Sequence, residues 1–193
     1  AVMIGMKSQV ISTVKHFPGH GDTTVDSHVG LPVINHDMDR LKSFELVPFA
    51  KAIESGADAV MLAHILLLEI DEQNPASFSK AVITDILRNE MNFDGLVITD
   101  DMTMGAIAEN YDIGEAAVKS VLAGADIVLV CHDNEKQVKV LKSLKQSAID
   151  GTIPESLLDE HVYRVLKLKQ KYELRDEETE SVDVSAINRK IRD

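Results

Sequence analysis

Residues 56–64 read Gly-Ala-Asp-Ala-Val-Met-Leu-Ala-His, and residues 124–132 read Gly-Ala-Asp-Ile-Val-Leu-Val-Cys-His. Between them, residues 94–101 read Asp-Gly-Leu-Val-Ile-Thr-Asp-Asp. Each stretch contains a short apolar run that begins after a glycine and ends at a polar residue. Consecutive apolar positions are typical of a strand buried on both faces, as in a parallel sheet. A weaker fourth candidate strand, residues 10–16, leads into a glycine-rich loop.

Helical patterns separate these candidate strands. Apolar residues recur with helical spacing after Ser79, which we predict to be an N-cap, and before Gly124, which we predict to end a helix. A capping box with proline in the first turn is predicted at residues 152–155. The alternation of strands and helices predicts a parallel α/β protein.

Polar residues at the strand ends favour a β/α barrel over a doubly wound sheet, although both fit the order of elements. Four polar residues each lie at or just past the carboxyl end of a predicted strand, where β/α barrels build their sites: His16, His64, Asp100 and His132. A complete (β/α)8 TIM barrel has eight units in about 250 residues, and this chain of 193 residues supplies about four. We therefore expect residues 1–174 to form the C-terminal half of such a barrel, and residues 175–193 to form a polar tail or linker.

Composition argues against several function classes. The chain has 20 Lys and Arg against 32 Asp and Glu, a formal charge of −12, which disfavours binding to nucleic acid or to an anionic membrane surface. Its one cysteine, Cys131, excludes an intrachain disulfide and a site with several cysteine ligands. No apolar run reaches the roughly 18–20 residues that span a bilayer. The chain starts without Met, so we expect that sequence precedes it, and the compartment, cytoplasmic or exported, stays open.

Residues 15–28 hold the densest set of reactive side chains, with three histidines, two aspartates and a lysine in a loop shaped by glycine and proline. Three interpretations compete. One is the metal site of a metal-dependent hydrolase, with His16, His20 and Asp26 as ligands. A second is structural, with the histidines hydrogen-bonded to the loop. In the third, Asp26 orients and polarises His28 for proton transfer.

A second set consists of two adjacent carboxylates, Asp100 and Asp101, at the end of a buried strand. Because side chains alternate along a strand, one carboxylate should face the mouth of the barrel and the other the surrounding polar network. A helix N-cap or a surface turn explains Asp101 as well as a functional role does. The same structural explanation fits Asp100 less well.

The segment that ends at Asp100 resembles the active-site signature of family 3 glycoside hydrolases. The resemblance begins with Ile-Leu-Arg-Asn-Glu at residues 86–90 and, after four residues, continues with Gly-Leu-Val-Ile-Thr-Asp at residues 95–100. Residues 15–28 resemble the Lys-His-Phe-Pro-Gly-His-Gly…Asp-Ser-His loop of the β-N-acetylglucosaminidase (β-hexosaminidase) branch. The β-glucosidase branch lacks that Asp-Ser-His and takes its acid from a glutamate elsewhere. The resemblance covers residues 10–172.

The resemblance implies a retaining mechanism without metal or cofactor. Asp100 would attack the anomeric carbon and form a glycosyl-enzyme, and His28, paired with Asp26, would act first as acid and then as base. This pairing departs from the usual two carboxylates of glycosidases. The implied substrate-binding residues are Lys15, His16, His20, His64 and Met104.

The implied substrate is a carbohydrate that ends in N-acetylglucosamine, derived from peptidoglycan or from chito-oligosaccharides. Family members carry a further aspartate and arginine on earlier strands, so we expect this chain alone to have weak activity or none. We expect it to need an N-terminal half-barrel or a second copy of the chain. Two alternatives stay open besides the metal-dependent hydrolase: a β-N-acetylglucosaminide phosphorylase of the same family, and a non-catalytic half-barrel fragment.

Overall fold

A computed structural model describes residues 5, 10–23, 25–175, 184, 188 and 189. Its main sheet has four parallel strands: β1 (Thr13–Phe17), β3 (Ala59–Leu62), β5 (Leu96–Asp101) and β6 (Ile127–Leu129). Two short strands pair in parallel beside it as a separate sheet: β2 (Val33–Ile34) and β4 (Leu66–Leu67). The tail predicted for residues 175–193 lies almost wholly outside the described residues.

Helices follow each strand of the main sheet. Between residues 10 and 175 the α-helices are α1 (Met38–Arg40), α2 (Val47–Glu54), α3 (Gly105–Ala108), α4 (Ile113–Ala123), α5 (Asn134–Ile149) and α6 (Glu155–Lys171). Two π-helices occur at Leu41–Glu45 and Ala81–Glu90, and a 3₁₀ turn occurs at Ala76–Phe78. In the part of the chain that the structure describes, no helix combines the length and the apolar character needed to cross a bilayer.

Three predictions from the sequence concern the residues at which helices begin or end. Gly124 ends α4 in the left-handed conformation, with φ of 112°, as predicted. The Ser79 hydroxyl accepts the N–H of Val82 in the first turn of the second π-helix. The capping box predicted at residues 152–155 is wrong, because Pro154 occupies the N-cap position and Thr152 lies outside the helix.

The strand order β1-β3-β5-β6 distinguishes a barrel from a doubly wound sheet. Each strand of the main sheet lies beside the preceding one, every pairing is parallel, and the order does not reverse. A doubly wound sheet reverses its order at a switch point, whereas right-handed crossovers that all advance in one direction curve a sheet into a barrel. Within the described residues β1 and β6 are edges. The chain thus forms an arc of a (β/α)8 barrel, as predicted.

The main core lies between the sheet and the helices that cover it. Its largest fully buried side chains come from both layers, among them Phe17, Leu41, Leu62, Ile83 and Leu87. This core fixes the strands laterally, so the residues at their carboxyl ends keep a defined spacing.

Asp58, the aspartate of the first Gly-Ala-Asp repeat, holds the amino end of β3 to the end of helix α6. Its carboxylate accepts hydrogen bonds from Ser12, from the Tyr172 hydroxyl at 2.6 Å and from the Lys171 ammonium at 2.5 Å. Burial alone would raise the pKa of Asp58, but these hydrogen bonds lower it to about 2. The same contact raises the pKa of Tyr172 to about 12.

Asp126, the aspartate of the second repeat, has the same role at the amino end of β6. Its fully buried carboxylate accepts the N–H of Val97 at 2.8 Å and is paired with Arg88 at 2.6 Å and His161 at 2.7 Å. Burial opposes ionisation, but the His161 hydrogen bond and the Arg88 charge keep the pKa of Asp126 below its usual value. Both repeat aspartates therefore stabilise the sheet at the end opposite the predicted site.

Candidate active site

A cleft of about 460 Å³ opens at the carboxyl ends of β1 and β5. Its lining comes from the end of β1, the loop that follows and the end of β5: Lys15, His16, His20, Gly21, Asp26, Ser27, His28 and Asp100. Six of the eight predicted site residues therefore meet in one cleft. The fold explains this meeting, because parallel strands bring their carboxyl ends to the same edge.

Asp100 lies on the floor of the cleft, with 18% of its side chain exposed. Its Oδ1 accepts the N–H of Asp101 at 2.8 Å, and its Oδ2 lies 3.4 Å from Nε2 of His16. Burial lowers the pKa of His16, while the Asp100 charge opposes that shift. His16 is therefore mostly neutral near pH 7 and presents an N–H or a lone pair beside the carboxylate.

Asp26 and His28 form a pair on the loop at the other side of the cleft. Oδ1 of Asp26 accepts both the ring Nδ1–H of His28, at 2.8 Å, and its backbone N–H, at 3.0 Å. These two hydrogen bonds from His28 lower the pKa of Asp26. The pair fixes the Nδ1–H tautomer, so Nε2 of His28 is the nitrogen available for proton transfer.

His20 holds this loop together from within the cleft wall. Its Nδ1 is 3.0 Å from the Thr23 hydroxyl, and its Nε2 is 2.9 Å from the hydroxyl of the buried Ser27. Both ring nitrogens are therefore committed to the loop, and Asp26 is committed to His28. The structure does not bring His16, His20 and Asp26 together as metal ligands.

Asp101 turns away from the cleft into the polar network that the alternation of side chains predicts. Its Oδ1 accepts the N–H groups of Thr103 and Cys131, at 3.0 and 2.9 Å, and its Oδ2 accepts the Thr103 hydroxyl at 2.6 Å. Cys131, His132 and Asp101 bring potential ligand atoms within 4.8 Å of one another. Because Asp101 already accepts three hydrogen bonds, we interpret this cluster as a structural link between β5 and β6.

Two residues that the sequence analysis assigned to substrate binding, His64 and Met104, lie behind the cleft and do not line it, and that role stays a prediction for both. His64 is fully buried; its Nε2 donates to the carbonyl of Asp101 at 3.1 Å, and its Nδ1 accepts from Ser77 at 2.8 Å. Burial lowers the pKa of His64, so the ring is neutral. Met104, 9% exposed, donates its backbone N–H to the same carbonyl. Both residues fix the end of β5 from behind.

A second cavity, of about 750 Å³, adjoins the cleft along the edge strand β1, and the two share the lining residues Lys15, His16, His20 and Gly21. A cluster of charged side chains in its wall was not predicted from the sequence. Glu45 is bound by Arg40 at 2.9 Å, and Asp22 by His36 at 2.9 Å. Of these four residues only Asp22 belongs to the reactive loop. The sequence carries little indication of this cluster, because the other three residues come from the connection between β2 and α2, which is separate in sequence from the loop.

Comparisons with known proteins bear on this cleft. Residues 1–168 match the family model described as the glycosyl hydrolase family 3 N-terminal domain. A β-hexosaminidase of Thiobacillus denitrificans is 41% identical over 145 residues, which cover 75% of this chain and 40% of that protein. The chain thus spans about two fifths of the length of this curated relative.

Solved structures resemble the same part of the chain. A family 3 β-N-acetylglucosaminidase from Paenibacillus sp. FPU-7 is 45% identical with a TM-score of 0.85, and the match covers 90% of this chain and 34% of that one. A β-glucoside phosphorylase bound to 2FGlc is 30% identical with a TM-score of 0.82, over 93% of this chain and 34% of that one.

Proposed function

The chain belongs to glycosyl hydrolase family 3, and on that basis we propose that it carries the catalytic residues of a retaining β-N-acetylglucosaminidase. The substrate is a peptidoglycan-derived or chito-oligosaccharide that ends in N-acetylglucosamine. One observation carries the proposal: Asp100 and the Asp26–His28 pair line the same cleft at the carboxyl ends of parallel strands. The proposed nucleophile and the proposed proton donor thus border one cleft from two different elements.

In the first step, Asp100 attacks the anomeric carbon and the bond from that carbon to the leaving oxygen breaks. His28 gives a proton from Nε2 to this oxygen, so the aglycone leaves as a neutral alcohol. Asp26 stabilises the histidine while it is charged, because its carboxylate is 2.8 Å from Nδ1. The product of this step is a glycosyl ester on Asp100.

In the second step, water attacks the anomeric carbon of the ester and Asp100 leaves as carboxylate. His28, now neutral, takes the proton of the attacking water through the same nitrogen. Two displacements at one carbon retain its configuration. A neutral base also avoids a second anion next to the leaving carboxylate.

The remaining cleft residues position the sugar. Lys15 and His16 line the cleft beside Asp100 and are suited to hydrogen-bond sugar hydroxyls. His20 holds the acid/base loop through Ser27. Each of these roles follows from the position of a hydrogen-bond donor or acceptor, so a substitution of that residue tests it.

Trapping the ester tests the nucleophile directly. An activated fluorinated N-acetylglucosaminide that deglycosylates slowly is incubated with the chain and with an intact barrel that contains it, and labelled peptides are identified by mass spectrometry. We expect the label on Asp100 and none on the adjacent Asp101. Label on another carboxylate, or no label in an intact barrel that turns over the parent glycoside, would overturn the proposal.

Phosphorolysis is a second candidate, because the similar solved structures include a β-glucoside phosphorylase. A neutral histidine base tolerates a phosphate dianion where a carboxylate would repel it, and Lys15 adds a positive charge to the cleft. Product analysis with and without inorganic phosphate separates the two reactions. Sugar 1-phosphate formed only when phosphate is present indicates a phosphorylase; free sugar under both conditions indicates a hydrolase.

A further inference from the structure

The loop that carries Asp26 and His28 is bound to the segment that follows β5. The carbonyl of Ser27 accepts the N–H of Ala106 at 3.1 Å, and the carbonyl of His28 accepts the N–H of Gly105 at 3.2 Å. These two amides open helix α3, where N–H groups have no partner within the helix. Hydrogen bonds therefore join the loop that holds the proposed acid/base pair to the segment that directly follows the strand of Asp100.

The two elements approach so closely at Gly105 that a side chain has no room. A Cβ at this position would lie 2.7 Å from the carbonyl oxygen of His28 and 2.8 Å from that of Val29. Both are backbone atoms, so neither can rotate away as the end of a side chain can. Gly105 is not among the glycines with positive φ, so the close contact is what requires glycine here.

A displacement of the loop at Gly105 would also move the His28 ring, because hydrogen bonds within the loop hold its residues together. The N–H groups of Val29 and Gly30 both bind the carbonyl of Asp26, at 2.9 and 3.0 Å. The Asp26 carboxylate in turn binds the His28 ring. The Asp26–His28 pair therefore moves together with the loop when the contact at Gly105 is displaced.

We infer that Gly105 is a positioning residue. Because it has no side chain, the His28 loop can pack against the segment that follows β5, and this contact sets the distance between the acid His28 and the nucleophile Asp100. This inference rests on the proposed function. General acid catalysis needs the donor within about 2.6–3.2 Å of the leaving oxygen, and a misplacement of about 1 Å can cost about a hundredfold in rate. The size of residue 105 thus controls protonation through the position of the His28 loop.

Amide hydrogen exchange tests the docking without any need for turnover. In the wild-type chain we expect the Ala106 amide to be protected, and in Gly105→Ala we expect it to exchange at least tenfold faster. Gly30→Ala is the matched control, because a Cβ there lies in the same loop but meets only Val25, at an ordinary 3.5 Å. Val97 in the centre of β5 reports whether each variant keeps its fold. An unprotected Ala106 amide in the wild type, or equal protection in Gly105→Ala, would overturn the inference.

Leaving-group dependence tests the consequence for chemistry, in the intact enzyme that contains this chain. For Gly105→Ala we expect kcat/KM to fall about a hundredfold on a phenyl N-acetylglucosaminide and much less on the dinitrophenyl glycoside, which needs no protonation. Gly30→Ala should keep the wild-type ratio. Equal losses on both substrates would indicate general damage and reject the positioning role.

Amide exchange and activity measurements together distinguish a failure of this inference from a failure of the proposed function. If Asp100→Asn were fully active, the proposed nucleophile would be wrong while the exchange result stood. If Asp100→Asn were inactive but the Ala106 amide exchanged freely, the function would hold and the docking would be rejected.

Discussion

The carboxylate of Asp101 accepts the backbone N–H of Cys131 at 2.9 Å, which joins the end of β5 to the chain just past β6. Its other oxygen is held by Thr103. Asp100, one residue earlier, faces the cleft instead. Of these two neighbouring carboxylates, one joins the ends of β5 and β6 and the other lines the cleft.

Asp101→Ala should lower the free energy of unfolding by about 2 kcal/mol, because it removes a charged acceptor and leaves donors on two elements unpaired. Urea unfolding at neutral pH measures the loss. Asp100→Asn serves as the control, and we expect less than about 0.5 kcal/mol for it. Similar losses for the two variants would contradict the division of roles.

Asp100→Asn should reduce kcat at least about a thousandfold, because it keeps the size of the side chain and removes the nucleophilic charge. The rate is measured with an aryl N-acetyl-β-glucosaminide on an intact barrel that contains this chain, and circular dichroism verifies the fold. Near-normal turnover by a correctly folded variant would reject Asp100 as nucleophile.

His28→Ala should slow substrates with poor leaving groups by roughly 10²–10⁴-fold, and activated aryl glycosides far less, since only the former need a proton from the enzyme. Asp26→Asn should show the same pattern with smaller losses, because the ring remains but its orienting charge is lost. The measurement is kcat/KM across aryl glycosides of graded leaving-group pKa. A loss that does not depend on the leaving group would exclude His28 as the acid.

Asp58 should contribute stability that depends on pH. Its folded pKa of about 2 is below the ordinary 3.8, so its contribution, about 2 kcal/mol, is complete above about pH 5 and is lost as pH falls from about 4 to about 2. Unfolding of the wild type and Asp58→Asn is compared across this range. The difference should be constant near neutrality and shrink in acid; a difference that is independent of pH would refute the assignment.

The sequence allowed the main strands and the parallel α/β barrel class to be predicted, because the underlying signals are local; the site residues it indicated lie mostly in one cleft, and their roles stay predictions. An apolar run marks a buried strand, and a strand end marks a place for Asp100 or His16. His64 carries the same signal at the end of β3, yet it is fully buried against Ser77 and the Asp101 carbonyl. The burial of His64 depends on how the neighbouring strand β5 packs against it, and the local sequence pattern carries no information on that packing.

The Gly-Ala-Asp repeats show the same limit at the other end of the sheet. Their pattern identified β3 and β6, but the role of Asp58 depends on Lys171, 113 residues away. The role of Asp126 depends on His161, 35 residues away. Strands of two residues, such as β2 and β4, were missed because two residues carry no periodicity.

The contacts of helix α6 also have a consequence for the order of events during synthesis. Strands β1 to β6 leave the ribosome before the helix that supplies Lys171 to Asp58 and His161 to Asp126. Until that helix emerges, both carboxylates lack these partners and their burial is costly. We therefore expect the nascent sheet to stay loose until synthesis has passed helix α6, whose Lys171 binds the carboxylate of Asp58, 113 residues earlier in the chain.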